Sequence, residues 1–140
     1  MRLGLVGAGR WGKRYIATIS GMEGVRLAHL ASSNPESATL VPADCRLSAD
    51  WHAVTADPTL DGIILATPPA THAEMALRAI ARGIPVLVEK PMTLSVDEAR
   101  ALVDQAHRSR VLVMVDHTHL FSAAFRVAAY LALRARFASR

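Results

Sequence analysis

The sequence predicts a doubly wound α/β fold, a parallel sheet with helices on both faces, and three observations predict it. Four short runs are apolar throughout rather than alternating: "LGLV" (3–6), "GIILA" (62–66), "PVLVE" (85–89) and "VLVMV" (111–115). Strands of that kind have both faces buried, as in a parallel sheet covered by helices. Helical periodicity fills gaps between these runs. The first run also leads directly into three glycines within six positions, Gly7, Gly9 and Gly12.

Taken in order, residues 3–6 form the first strand and the glycines open the first helix. "VRLAHLA" (25–31) reads as a second strand and "CRLS" (45–48) as a weak one. After the strand at 62–66, residues 70–82 present Ala73, Ala76, Leu77 and Ile80 on one helical face, with Arg78 and Arg82 in the last turns and Gly83 beyond them. After 85–89, "SVDE" is a capping box in which Ser95 caps and Glu98 answers, opening a helix over 95–109. Its buried stripe is expected to be Ala99, Leu102, Val103 and Ala106. Strands alternating with helices imply right-handed crossovers between parallel neighbours.

Composition narrows the function classes. At 140 residues and 51% hydrophobic, the chain is the size of one domain with a sizeable core. Its formal charge of +4 comes entirely from Arg126, Arg134, Arg136 and Arg140, so the body is balanced and offers no basic groove for nucleic acid. The single Cys45 reads as a small buried hydrophobe and fits a reducing, cytoplasmic setting. Neither a signal peptide nor a membrane span is expected.

Glycines placed between a strand and a helix have a specific use. In G-x-G-x-x-G, Gly7 would allow the tight turn, Gly9 the approach of a pyrophosphate, and Gly12 the close packing of helix on sheet; Ala8, Arg10 and Trp11 fill the loop. The helix N-terminus then supplies N–H groups and partial positive charge to the phosphates. This is the arrangement of a Rossmann dinucleotide site. An NAD site usually ends its second strand with an acidic residue, but here the strand ends in Ser32 and Ser33. Both NADP and NAD remain candidates, with NADP favoured. No carboxylate would repel a 2′-phosphate, two hydroxyls could bond it, and Arg10 could reach round to it.

"GLVGAGRWG" (4–12), "ATPPATHAEMALRAIARGIPVLVEKPMTLSVDEA" (66–99) and "VDHTHLFSAAF" (115–125) together resemble the Gfo/Idh/MocA family of NAD(P)-dependent oxidoreductases. The resemblance implies a Rossmann nucleotide domain followed by an open-sheet domain that holds a sugar, cyclitol or related polyol. It places Lys90 of "EKP" beside the nicotinamide and the reacting hydroxyl, and Thr67, Pro68, Pro69 and His72 on the loop along the cofactor. Asp116 stands where many relatives carry glycine or another small residue, and Ala123 where proline is common. Residues 1–120 are thus expected to be the nucleotide domain and 121–140 an apolar, basic helical tail, with the substrate domain missing.

The residues themselves agree. Glu89, Lys90 and Pro91 end a buried strand at its carboxyl end, where open α/β sheets bind ligands. There the Lys90 ammonium could stabilise charge on a reacting oxygen, while Pro91 restricts its backbone. His117 and His119 alternate and would face one way along an extended segment; His117 is expected at the cofactor edge, and no metal site is assigned. Trp11 is expected to pack over the helix start. The tail, through Val127, Tyr130, Leu131, Leu133 and Phe137, wants a partner. A lead into a further domain, an altered reading-frame end and homo-oligomer formation all stay open. Two functions follow: the cofactor-binding part of a polyol or sugar dehydrogenase, or a non-catalytic NAD(P)-binding module.

Overall fold

The computed structural model describes residues 1–138, with side chains through Ala132. Six strands, β1 (Arg2–Val6), β2 (Arg26–Ala31), β3 (Arg46–Ser48), β4 (Gly62–Leu65), β5 (Val86–Glu89) and β6 (Val113–Asp116), form one sheet. Every pairing is parallel and the spatial order is β3-β2-β1-β4-β5-β6. Each predicted strand is present, including the weak one. The helices are α1 (Arg10–Ser20), α2 (Trp51–Thr55), α3 (His72–Ala81), α4 (Val96–Ser109) and α5 (Ala123–Ala138). Between β2 and β3, Pro35–Leu40 makes a 3₁₀ turn. The patterns at 25–60 do not announce α2, which is only five residues long and capped by the Asp50 carboxylate on the His52 N–H.

Burial follows the expected logic of a sheet covered on both faces. On one side Val6, Ile63, Leu65 and Val88 pack with Val54, Ala76, Ile80 and Leu102 from α2, α3 and α4. On the other, Leu5, Leu27, Leu30 and Ile64 meet Ile16 and Ile19 of α1, with Cys45 buried among them as a free thiol. Leu5, Leu30 and Leu65 are wholly buried, each such side chain stabilising the fold by roughly 1.5–3 kcal/mol. Burial also pushes the Cys45 thiol up from its ordinary pKa.

Three helix details differ from expectation. Ser95 accepts the Glu98 N–H as a capping box requires, but the Glu98 carboxylate takes the Leu94 N–H instead of that of the cap. Leu102 and Ala106 are buried whereas Val103 is 44% exposed, because α4 lies against the sheet and α3 along one narrow stripe. The α3 start is also later than predicted, a 3₁₀ turn over Pro69–Thr71 preceding it. Gly83, with φ 78°, ends α3 in the left-handed conformation glycine tolerates. Of the predicted tail, the side chains of Leu133, Arg134, Arg136 and Phe137, and all of Arg140, lie outside the described residues. Among the described residues no helix is long and apolar enough to cross a membrane.

Candidate functional site

The sheet order reverses between β1 and β4, and a crevice opens there at the carboxyl ends of the strands. The Gly7 N–H donates to the Ala31 carbonyl (2.9 Å) and the Ala66 N–H to the Val6 carbonyl (2.9 Å), fixing the three chain segments that leave the sheet. The glycines then divide their work. Gly7 has φ 96°, and a Cβ there would lie 2.5 Å from the Ala66 carbonyl oxygen. At Gly12 a Cβ would drive into the Gly7 carbonyl, so helix and turn touch backbone to backbone. At Gly9 a Cβ would meet nothing within 4 Å. Gly9 is exposed and caps α1 with no side-chain hydrogen bond, so no capping side chain takes the first N–H groups of the helix. Bare helix donors beside a residue with no steric need for glycine fit a phosphate cradle.

From this turn a cleft of about 490 Å³ extends over Gly7, Ala8 and Gly9, past Ala31–Asn34 on one side and Ala66–Pro68 on the other. Trp51 and Met75 help to close it. A smaller hollow of about 250 Å³ continues beyond Ser32, Ser33 and Asn34 to Ser37 and Ser48. Neither has a charged residue in its lining. Ser32 spends its hydroxyl on the fold, 2.8 Å from Ser37 Oγ and accepting the Asn34 N–H at 3.2 Å. Ser33 stands exposed at the rim.

A second cavity, about 500 Å³, lies at the β5–β6 end and brings together Trp11, Lys90, Asp116, His117, His119 and Phe125. Lys90 is exposed, and its peptide bond to Pro91 is cis. The strand stops at Asp116, and Thr118–Phe121 is a 3₁₀ turn, so His117 and His119 do not alternate along an extended segment as the spacing suggested. Trp11, in the first turn of α1, also lines this cavity, with the Arg14 guanidinium 4.9 Å from its ring centre.

Seven predicted cofactor residues, Gly7, Ala8, Gly9, Ser32, Ser33, Thr67 and Pro68, share the first cleft, and Trp11, Lys90 and His117 share the second cavity. Arg10, Gly12, Pro69, His72, Glu89 and Pro91 line neither. His72 is fully buried behind the cleft, with Nδ1 3.0 Å from the Pro91 carbonyl and Nε2 2.9 Å from that of Thr67. It ties the two loops together, because an imidazole whose nitrogens both face carbonyls has no edge left for a ligand. Glu89 is 5% exposed and turns toward α1, where Tyr15 Oη lies 3.0 Å from its Oε1 and 2.6 Å from Asp116 Oδ2. Burial, then the hydrogen bond to Asp116 and the two carboxylate charges, hold the Tyr15 phenol far above its ordinary pKa, so it remains a neutral donor. Sequence reasoning missed Tyr15, Asn34, Trp51 and Met75. Tyr15 sits one residue from Ile16 and four from Ile19, a spacing that reads as core.

Sheet order, glycine turn and crevice define a Rossmann-type domain, the class of protein built to hold a dinucleotide. The chain belongs to the Gfo/Idh/MocA oxidoreductase family, whose NAD-binding Rossmann fold profile matches residues 1–117. It is similar to 4-carboxy-2-hydroxymuconate-6-semialdehyde dehydrogenase of Sphingobium sp. (30% identity over 125 residues; 87% of this chain, 40% of the relative). It is also similar to scyllo-inositol 2-dehydrogenase (NAD(+)) of Bacillus subtilis (28% over 129 residues; 89% and 38%). Among solved structures it resembles a Magnetospirillum magnetotacticum MS-1 protein provisionally assigned as an oxidoreductase, at 50% identity and TM-score 0.83, covering 99% of this chain and 44% of that one. A biliverdin reductase from Synechocystis, crystallised with biliverdin and NADP+, matches at 26% identity and TM-score 0.79, over 88% and 40%. The chain thus spans about 40% of the length of the curated relatives it matches.

Proposed function

We propose that this chain is the nucleotide-binding part of an oxidoreductase that moves hydride between NAD(P) and a sugar, cyclitol or related polyol. The observation that carries the proposal is the contrast among the glycines: backbone contacts exclude a side chain at Gly7 and Gly12, and only a ligand would exclude one at Gly9. Gly9 and the first N–H groups of α1 would hold the pyrophosphate, the Ser32–Asn34 rim one ribose, and Thr67–Pro68 the path toward Lys90. When bound, the nicotinamide supplies the hydride acceptor or donor. Lys90, unpaired among the described residues, would donate a hydrogen bond to the reacting oxygen and stabilise the charge that gathers on it. Inositol dehydrogenases among the relatives support the polyol reading. Residues 1–120 would form this unit and 121–140 the lead toward a substrate-holding domain. The charge-balanced body and the free, buried Cys45 support a cytoplasmic protein whose partner is a small molecule rather than nucleic acid.

The uncharged lining beyond Ser32 and Ser33 favours NADP over NAD, since nothing there repels a 2′-phosphate. Calorimetric titration with NADP and NAD tests both points. The expected result is binding of both with NADP at least as tight, and Ser32→Asp should shift the ratio toward NAD by about tenfold, through repulsion of the 2′-phosphate. A parent that binds NAD tenfold tighter would overturn the preference, and one that binds neither would overturn the function. Reduction of bound cofactor by a panel of sugars and cyclitols separates a reacting protein from a module that only binds.

A further inference from the structure

We propose that Tyr15 is a positioning residue for the nicotinamide end of the bound dinucleotide, setting the separation of the β5 and β6 ends through Glu89 and Asp116. The proposal rests on the dinucleotide reading above. Glu89 and Asp116 are register partners on adjacent parallel strands, and each directly precedes a candidate site residue, Lys90 and His117. Two carboxylates facing each other at neighbouring strand ends repel. The Tyr15 hydroxyl stands between them, and the Glu89 Oε2 also accepts the Lys90 N–H at 3.2 Å. Asp116 in turn accepts the Thr118 hydroxyl at 3.2 Å, so one phenol anchors both the backbone that carries Lys90 and the turn that carries His117. Because Tyr15 lies on the helix whose N-terminus would hold the pyrophosphate, it couples that end of the ligand to the cavity at the other. Its neutral phenol offers one proton shared between the two carboxylates and brings no negative charge of its own.

Tyr15→Phe removes the bridge and leaves the ring. The test compares calorimetric affinities for NADPH or NADH, whichever binds the parent more tightly, with those for the matching ADP-ribose or 2′-phospho-ADP-ribose, which lacks nicotinamide. Weakening of about five- to tenfold for the dinucleotide, with under about twofold for the fragment, is expected, because only one end of the ligand reaches the cavity between β5 and β6. Equal weakening of both ligands would make Tyr15 a general brace and overturn the proposal, as would no change in either. If circular dichroism shows Tyr15→Phe to be unfolded, the comparison moves to Tyr15→Phe combined with Asp116→Asn, where one opposing charge is gone, and the same split is required. A parent that binds the fragment and the dinucleotide equally well also overturns this proposal while leaving the cleft intact. A parent that binds neither removes the functional reading itself.

Discussion

The two ends of the sheet's carboxyl edge are built from different materials. Around β1, β2 and β4 the cleft is made of backbone, glycine, serine and other mostly short side chains, closed by Trp51 and Met75, and β4 below it is buried along its whole length. Around β5 and β6 the cavity is made of long polar and aromatic side chains, and its apolar members stay open to solvent: Leu120 is 52% exposed and Phe125 46%. Met114, in the middle of β6, is 45% exposed, so among the described residues no helix fully covers that face of the edge strand. The first end is finished within this chain; the second presents groups that nothing among the described residues covers. A groove that recognises phosphate and ribose can be made from main-chain donors alone, whereas chemistry at a reacting carbon needs side chains with reach.

The strongest way to break this contrast is at the finished end. Gly12→Ala should cost about 3 kcal/mol or more in urea unfolding, since the new methyl collides with the Gly7 carbonyl and neither backbone can retreat without parting helix from sheet. A loss below 1 kcal/mol would mean that the turn is looser than its contacts indicate. Gly9→Val should separate binding from stability. Dinucleotide affinity is expected to fall by about 100-fold or more, equal to roughly 2.7 kcal/mol, while the melting temperature stays near that of the parent. Retained affinity in a titration would remove the loop from the site. At the open end the effect should be smallest: Phe125→Ala is expected to change stability by no more than about 0.5 kcal/mol in the 140-residue chain. A cost of several kcal/mol would show that this face is covered in solution, by a second copy of the chain for example.

How much could be read before the structure depended on how local the signal was. The buried strands, the glycine turn, the Ser95 cap and the Gly83 stop are written in adjacent residues, as continuous apolar runs and as turn and cap residues at fixed offsets. Helix α2 escaped because five residues give no period to read, and its cap at Asp50 is not followed by an apolar stripe. Val103 was misplaced for a related reason: periodicity gives the direction of a face but not the width of the surface it meets. His72 was assigned to the cofactor from its loop, yet its two ring nitrogens are taken up by carbonyls 19 and 5 residues away in sequence.

The sequence by itself therefore determined the parallel sheet, the longer helices that cover it and the glycine turn at the head of α1, because each depends on neighbours along the chain and on the burial preference of whole apolar runs. Only the tertiary structure decided which of these residues share a cleft, which serve as struts behind it, and that one phenol on α1 lies between two carboxylates at the ends of β5 and β6. Those relations join atoms as many as 101 positions apart, and they are set by sheet order and side-chain direction, which hydrophobic periodicity does not encode.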